Sequence, residues 1–265
     1  MMSVELNQTL RVVLIIQSRM GSTRLPGKSM MDLAGAPLVG RILERVKRCK
    51  CIDEIILAIP DTKENDPLKE LADVYKIKCF LGAEEDLVDR YYHAANSSKA
   101  DIVVRIPADN ATPEPAEIDK IIKYHLSLGR PGFSSNLAEI RNSGYPDGIG
   151  AEVFDFILLK DVQESVRDSF NREHVHLNFY NYETNEAVDP IWCPINTVQC
   201  PEDFRRPDLI LDVNTKEQYE FMRALYESLY PRNPHFTITD IIAWYDNEYQ
   251  LKHKIFDAHK NLSKE

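Results

Sequence analysis

VVLIIQSRMGSTRLPGK, residues 12–28, joins an apolar run to a loop that carries three cations. Residues 12–18 are continuous and mostly β-branched, so they read as a strand buried on both faces, as in a parallel sheet. The loop after it, residues 17–28, sets Arg19, Arg24 and Lys28 among Gly21, Ser22, Thr23 and Gly27. Glycines let a backbone come close to an anion, and free N–H groups and hydroxyls donate to it. Arg offers a planar fork for phosphate oxygens and Lys a compact charge. Three cations at the end of a strand suit a polyphosphate; the plainer alternative is a solvated basic turn. The loop is not a Walker A element, because Gly21 and Gly27 stand one residue too far apart.

Outward from this loop, strand and helix patterns alternate. Apolar strands are expected at residues 54–60, 78–81 and 101–106. Helices are expected at 38–49, at 66–75 with Asp66 as N-cap and Pro67 at the first helical position, at 86–96, and at 117–128 up to Gly129 and Pro131. Repeated units of this kind imply an α/β fold, a mostly parallel central sheet flanked by helices. Ligands of such sheets sit at the carboxyl ends of the strands. The second half is less regular: a strand at 151–156 leading into a helix at 157–166, a helix at 171–181, an apolar strand at 209–213, and helices at 215–230 and from 237. Residues 1–10 read as an N-terminal extension, 11–230 as one domain, and 231–265, beyond Pro231 and Pro234, as a C-terminal helical tail.

Four further groups bear chemistry. Asp109 follows the strand at 101–106, at the ligand edge, where a carboxylate beside polyphosphate suits Mg²⁺; the alternative is a cap near Pro113. Asp212 and Asn214 stand two apart, on one face of the expected strand, and either completes a metal site. Asn214 or Thr215 also serves as a helix N-cap. In YPDGIGAE, residues 145–152, Asp147 shapes a turn, and Glu152 is a carboxylate opening an apolar strand. In REHVH, residues 172–176, the histidines are wrongly spaced for one helix face, and Arg172 and His174 remain as acceptor-binding candidates.

Composition narrows the classes. The 265 residues carry a formal charge of −10, with 43% hydrophobic and 28% charged residues. An acidic chain is a poor general ligand for nucleic acid or anionic membrane. The apolar run at 12–16 is too short to span a bilayer, and residues 1–10, with Glu5, Asn7 and Gln8, are not expected to act as a leader. Cys49, Cys51, Cys79, Cys193 and Cys200 are odd in number and form no C-x-x-C pair, which suits reduced thiols in the cytoplasm. G-x-S-x-G, H-E-x-x-H and G-x-G-x-x-G elements are absent.

RMGSTRLPGK, residues 19–28, resembles the first motif of the CMP-sugar synthetases, which include CMP-KDO synthetase, acylneuraminate cytidylyltransferase and spore-coat polysaccharide cytidylyltransferase-like proteins. The likeness extends through GAEEDLVDRY at 82–91, residues 104–109, 145–154, 172–175 and 215–226, and so covers about residues 11–230. It implies a nucleotide-diphospho-sugar transferase fold, Rossmann-like, and a nucleotidyltransferase domain over 11–230. It implies CTP as donor, Mg²⁺ as cofactor, and a sugar acid or a phosphorylated polyol as acceptor, in surface-polysaccharide synthesis, with a homodimer possible. Nucleotide binding then falls to Gln17, Ser18, Arg19, Met20, Gly21, Ser22, Arg24, Lys28, Gly82, Ala83 and Asp109, and catalysis to Arg24, Lys28 and Asp109. The acceptor side falls to Asp147, Glu152, Arg172 and His174, and the metal to Asp109 with Asp212 or Asn214. Three positions depart from the family pattern: Asn214 stands for Asp, Gly150 loses a carboxylate, and Asn110-Ala111-Thr112 replaces Cys-Pro-Leu. They keep open a CDP-type product or a non-catalytic nucleotide-binding protein.

Overall fold

The computed structural model describes residues 10–137 and 140–249. Most of the expected N-terminal extension and the end of the expected tail lie outside the described residues. In chain order the strands are β1 (Val12–Gln17), β2 (Asp32–Leu33), β3 (Ala36–Pro37), β4 (Glu54–Pro60), β5 (Lys78–Gly82), β6 (Ile102–Pro107), β7 (Phe133–Ser135), β8 (Glu152–Asp155), β9 (Tyr180–Asn181), β10 (Glu186–Ala187) and β11 (Ile195–Asn196). The α-helices are α1 (Leu38–Val46), α2 (Asp66–Val74), α3 (Leu87–Ser97), α4 (Pro115–Ser127), α5 (Phe156–Ser165), α6 (Ser169–Glu173), α7 (Lys216–Leu229) and α8 (Ile238–Trp244).

Seven strands form the central sheet, in the order β11-β7-β8-β6-β1-β4-β5. β1 pairs in parallel with β4 and β6, and β4 with β5. β8 alone runs against its neighbours β6 and β7. The central strand β1 separates two cores. Val12, Leu14 and Ile16 enter one, with α1, α2, α4, α7 and α8, while Val13 and Ile15 enter the other, with α3 and α5. This is the period-two alternation of a strand covered on both faces, and it explains why the run is apolar throughout.

Caps set several helix starts. Asp86 accepts from the N–H of Asp89 to open α3, and Thr215 and Gln218 form a capping box at α7. At α2 the N-cap is Asn65, and Asp66 is already helical, one residue earlier than expected. The helix expected over 171–181 is broken into α6, a 3₁₀ turn at Val175–Asn178, and β9. The Asn178 amide donates to the carbonyls of Asn171, His174 and Val175, which competes with a continuous helical ladder. Residues 209–213 are extended but lie outside the sheet. They bridge two loops, Asp147 to Ile210 and Asn110 to Asp212, and bury Leu209, Leu211 and Val213. Past Pro231 the chain stays on the main core. Ile238, Ile241 and Trp244 of α8 are buried there, and Arg45 donates to the carbonyl of Phe236.

Candidate active site

Because β1 and β6 are neighbours in register, Gln17 faces Pro107 across the ladder. The loops that leave these two strands therefore meet at one sheet edge. Gly27 turns the first loop with φ +69°, a left-handed conformation that favours glycine, and Lys28 follows at once in a 3₁₀ turn. Ser18 and Ser29 hydroxyls are bonded to each other at 2.9 Å, and Ser29 donates to the carbonyl of Arg19, which ties the loop's two ends together.

The Lys28 ammonium lies 3.4 Å from Asp109 Oδ2, 2.8 Å from the carbonyl of Val213 and 3.1 Å from Asn214 Oδ1. Arg24 Nη2 donates to the same Asn214 oxygen at 2.8 Å. Asp212 accepts from the side-chain amides of Asn214 and Gln218. Burial and then the charge of Asp109 raise the Asp212 carboxyl above its usual range, against the Asn214 hydrogen bond and the charges of Lys28 and Arg24. Two carboxylates that disfavour each other beside a cationic loop fit Mg²⁺, which takes one or two protein carboxylates and completes its shell with phosphate and water. Among the described residues no group of three or more His, Cys, Asp and Glu is placed to hold a metal by itself.

These residues open onto a cavity of about 550 Å³. Gln17, Ser18, Arg19, Ser22, Arg24, Lys28, Asp109, Asp147, Glu152, His174 and Asp212 all line it, so the structure gathers most of the expected residues. Six of them are not in the lining. Met20 packs against the core, and its N–H is held by Asn65. Gly21 stands beside Glu64. The amide oxygen of Asn214, one of the expected metal ligands, is taken by Arg24 and Lys28. Gly82 and Ala83 lie behind Arg90, which donates to the carbonyl of Ala83. Arg172 is outside the lining, and its guanidinium is bound to Asp86 at 2.6 Å, to Gln163 and to the carbonyl of Val166.

Arg90, Arg105, Tyr182 and His176 are among the cavity residues not anticipated from the sequence. Arg90 is 4% exposed, and its Nε has no hydrogen-bond partner. Burial, with help from the charge of Arg19, pulls it down to about 10. Its signal was an arginine on the stripe Leu87, Tyr91 and Ala94, where an apolar residue is the norm. Arg105 is bound to Glu152 at 2.6 Å and to Gln17 at 3.2 Å; burial lowers it, but the charge of Glu152 more than offsets that. Tyr182 donates to the other Glu152 oxygen at 3.2 Å. Burial, then the charges of Arg105 and His174, push His176 down to about 2, so its imidazole is neutral. Gly150 is explained as well. A Cβ there would lie 2.6 Å from Asn136 Oδ1 and 2.7 Å from the Asn136 carbonyl, so no carboxylate can stand at that position.

Among the described residues no helix is long and apolar enough to cross a membrane. The sequence profile of the cytidylyltransferase family matches residues 13–261. The spore coat polysaccharide biosynthesis protein SpsF of Bacillus subtilis is 31% identical over 238 residues, 88% of this chain and 92% of that protein. A cytidylyltransferase from Leptospira borgpetersenii superposes with a TM-score of 0.80 at 25% identity, covering 91% of this chain and 96% of the other. CMP:2-keto-3-deoxy-manno-octonic acid synthetase, solved in complex with CTP, shares the fold with a TM-score of 0.61 at 16% identity, over 83% and 99% of the two chains. The fold is of the nucleotide-diphospho-sugar transferase type, and on the profile and the SpsF likeness together the chain belongs to the cytidylyltransferase family.

Proposed function

We propose that this chain transfers the cytidylyl group of CTP to an oxygen of a small acceptor and releases pyrophosphate. The supporting observation is the junction at Asn214, where Arg24, Lys28 and the carboxylates of Asp109 and Asp212 meet at one edge of the cavity. Cations and carboxylates gathered this way suit a metal-bound triphosphate and little else of that size.

The roles follow from placement. Arg24 and Lys28 hold the β and γ phosphates and take up the charge of the leaving pyrophosphate. Asp109 and Asp212 would hold Mg²⁺, which would supply positive charge to neutralise the phosphates and acidify the attacking oxygen. Arg90, which lines the cavity, carries a guanidinium with donor capacity to spare, since its Nε has no hydrogen-bond partner, and it suits a carbonyl oxygen of the pyrimidine. The acceptor lies on the side of Asp147, His174, His176 and Tyr182. Its oxygen attacks the α-phosphorus in line, the bond from that phosphorus to the pyrophosphate oxygen breaks, and the acceptor proton passes to solvent.

The acceptor classes in view are sugar acids, as in surface-polysaccharide synthesis, and phosphorylated polyols. A pyrophosphate-release assay with CTP, Mg²⁺ and both classes, with mass analysis of the product, tests the reading. A CMP ester carries one phosphorus, and a CDP-type product carries two. CTP binding without pyrophosphate release from either class would make the chain a nucleotide-binding protein and overturn the proposal.

A further inference from the structure

Asp212 is gripped at both oxygens. Its Oδ1 accepts from Gln218 Nε2 at 3.1 Å, and its Oδ2 accepts from Asn214 Nδ2. Each amide has a second set of partners that fixes which way it faces. Asn214 Oδ1 accepts from Arg24 at 2.8 Å and from Lys28 at 3.1 Å. Gln218 Oε1 accepts from the backbone N–H groups of Asn214 and Thr215 at 2.8 and 2.9 Å. With the oxygens committed to donors, each NH₂ group must point at Asp212.

We infer that Asn214 and Gln218 are positioning residues that lock the Asp212 carboxylate toward a divalent cation shared with Asp109, and that Asn214 couples this lock to the two phosphate-binding cations. The inference rests on the metal-nucleotide reading above. Asp212 and Asp109 line one cavity, and two carboxylates facing the same space repel, so nothing but its hydrogen bonds keeps the Asp212 side chain from rotating away. One amide donor on each oxygen stops that rotation. Each oxygen keeps a lone pair, so ligation stays open. Asn214 cannot itself be the second ligand while its single side-chain oxygen serves both Arg24 and Lys28. Outer-shell groups that orient a ligand in this way typically govern affinity by roughly 10–100-fold.

Gln218 also caps α7, so the test must separate a lock from a cap. Thr215 supplies the other half of the capping box, accepting from the Gln218 N–H at 3.3 Å, and Asp212 is not among its partners. Mn²⁺ replaces Mg²⁺, and its affinity for the protein in the presence of CTP is read from the free-ion electron paramagnetic resonance signal. Expected are at least roughly tenfold weaker Mn²⁺ binding in Gln218→Leu and in Asn214→Ala, with Thr215→Ala within about twofold of wild type. Wild-type Mn²⁺ affinity in Gln218→Leu, or an equal loss in Thr215→Ala, would overturn the inference. Two controls distinguish this from failure of the parent reading. Unchanged Mn²⁺ binding in Asp109→Asn would remove the metal site itself, and absence of CTP binding in EDTA by calorimetry would remove the nucleotide site.

Discussion

Single side chains carry the sharpest expectations. Arg24→Ala and Lys28→Ala each remove a charge-assisted contact to phosphate, which should cost on the order of 1.5–3 kcal/mol, tenfold or more in kcat/KM. Arg24 is exposed, so its variant should melt as wild type does, whereas Lys28→Ala also gives up its contacts with Asp109, Val213 and Asn214 and should melt somewhat lower; steady-state kinetics with circular dichroism checks both halves. Asp109→Asn keeps shape and removes charge, and Asp212→Asn does the same at its partner. Both should lose orders of magnitude in turnover while CTP binding in EDTA persists. His176 predicts an effect of pH. Folding holds it down to about 2, against an ordinary value of about 6.5. Between those values the unfolded chain binds a proton that the folded chain refuses, so stability falls as pH drops below about 6.5. In His176→Gln the loss of stability from pH 7 to pH 5 should be smaller by about 1–2 kcal/mol, read by urea unfolding. At this scale the sequence was legible where a residue was unusual for its setting. A loop rich in Arg, Lys and Gly gave itself away, whereas Arg90 and His176 did not, because their meaning depends on a wall that only tertiary packing builds.

Among elements, the long regular ones were readable and the short ones were not. β1, β4 and β6 are apolar runs rich in β-branched residues, whose composition and length leave little choice. Residues 171–181 failed for a local reason, since the Asn178 amide offers the backbone carbonyls a partner outside the helical ladder. Residues 209–213 look like a strand because Leu209, Leu211 and Val213 alternate inward, yet they pair only with loops. Alternation reports burial, not the identity of the hydrogen-bonding partner. The Arg172–Asp86 pair joins α6 to the cap of α3. Arg172→Ala should therefore lower stability by about 1 kcal/mol and leave the acceptor KM unchanged. A raised KM with unchanged melting would return Arg172 to the acceptor side.

For the molecule as a whole, nucleotide should act as a structural ligand. CTP at a hundred times its Kd stabilises the folded chain by about 2.7 kcal/mol. That corresponds to a rise in Tm of several degrees for a chain of this size. Thermal shift with matched CTP, UTP, ATP and GTP should rank CTP first, and an equal response to all four would leave a polyphosphate site without base selection. The wide sequence separation of the site's parts also governs when it comes into being. Lys28 finds Asp109 from 81 residues away, and the Val213 carbonyl and Asn214 from 185 and 186 residues away. On a ribosome adding about 5–20 residues per second, the lysine waits on the order of 10–40 s for its last partners to be synthesised. A nascent chain can thus form the sheet's first parallel strands early, but it cannot assemble the whole Lys28 cradle until most of the message has been read.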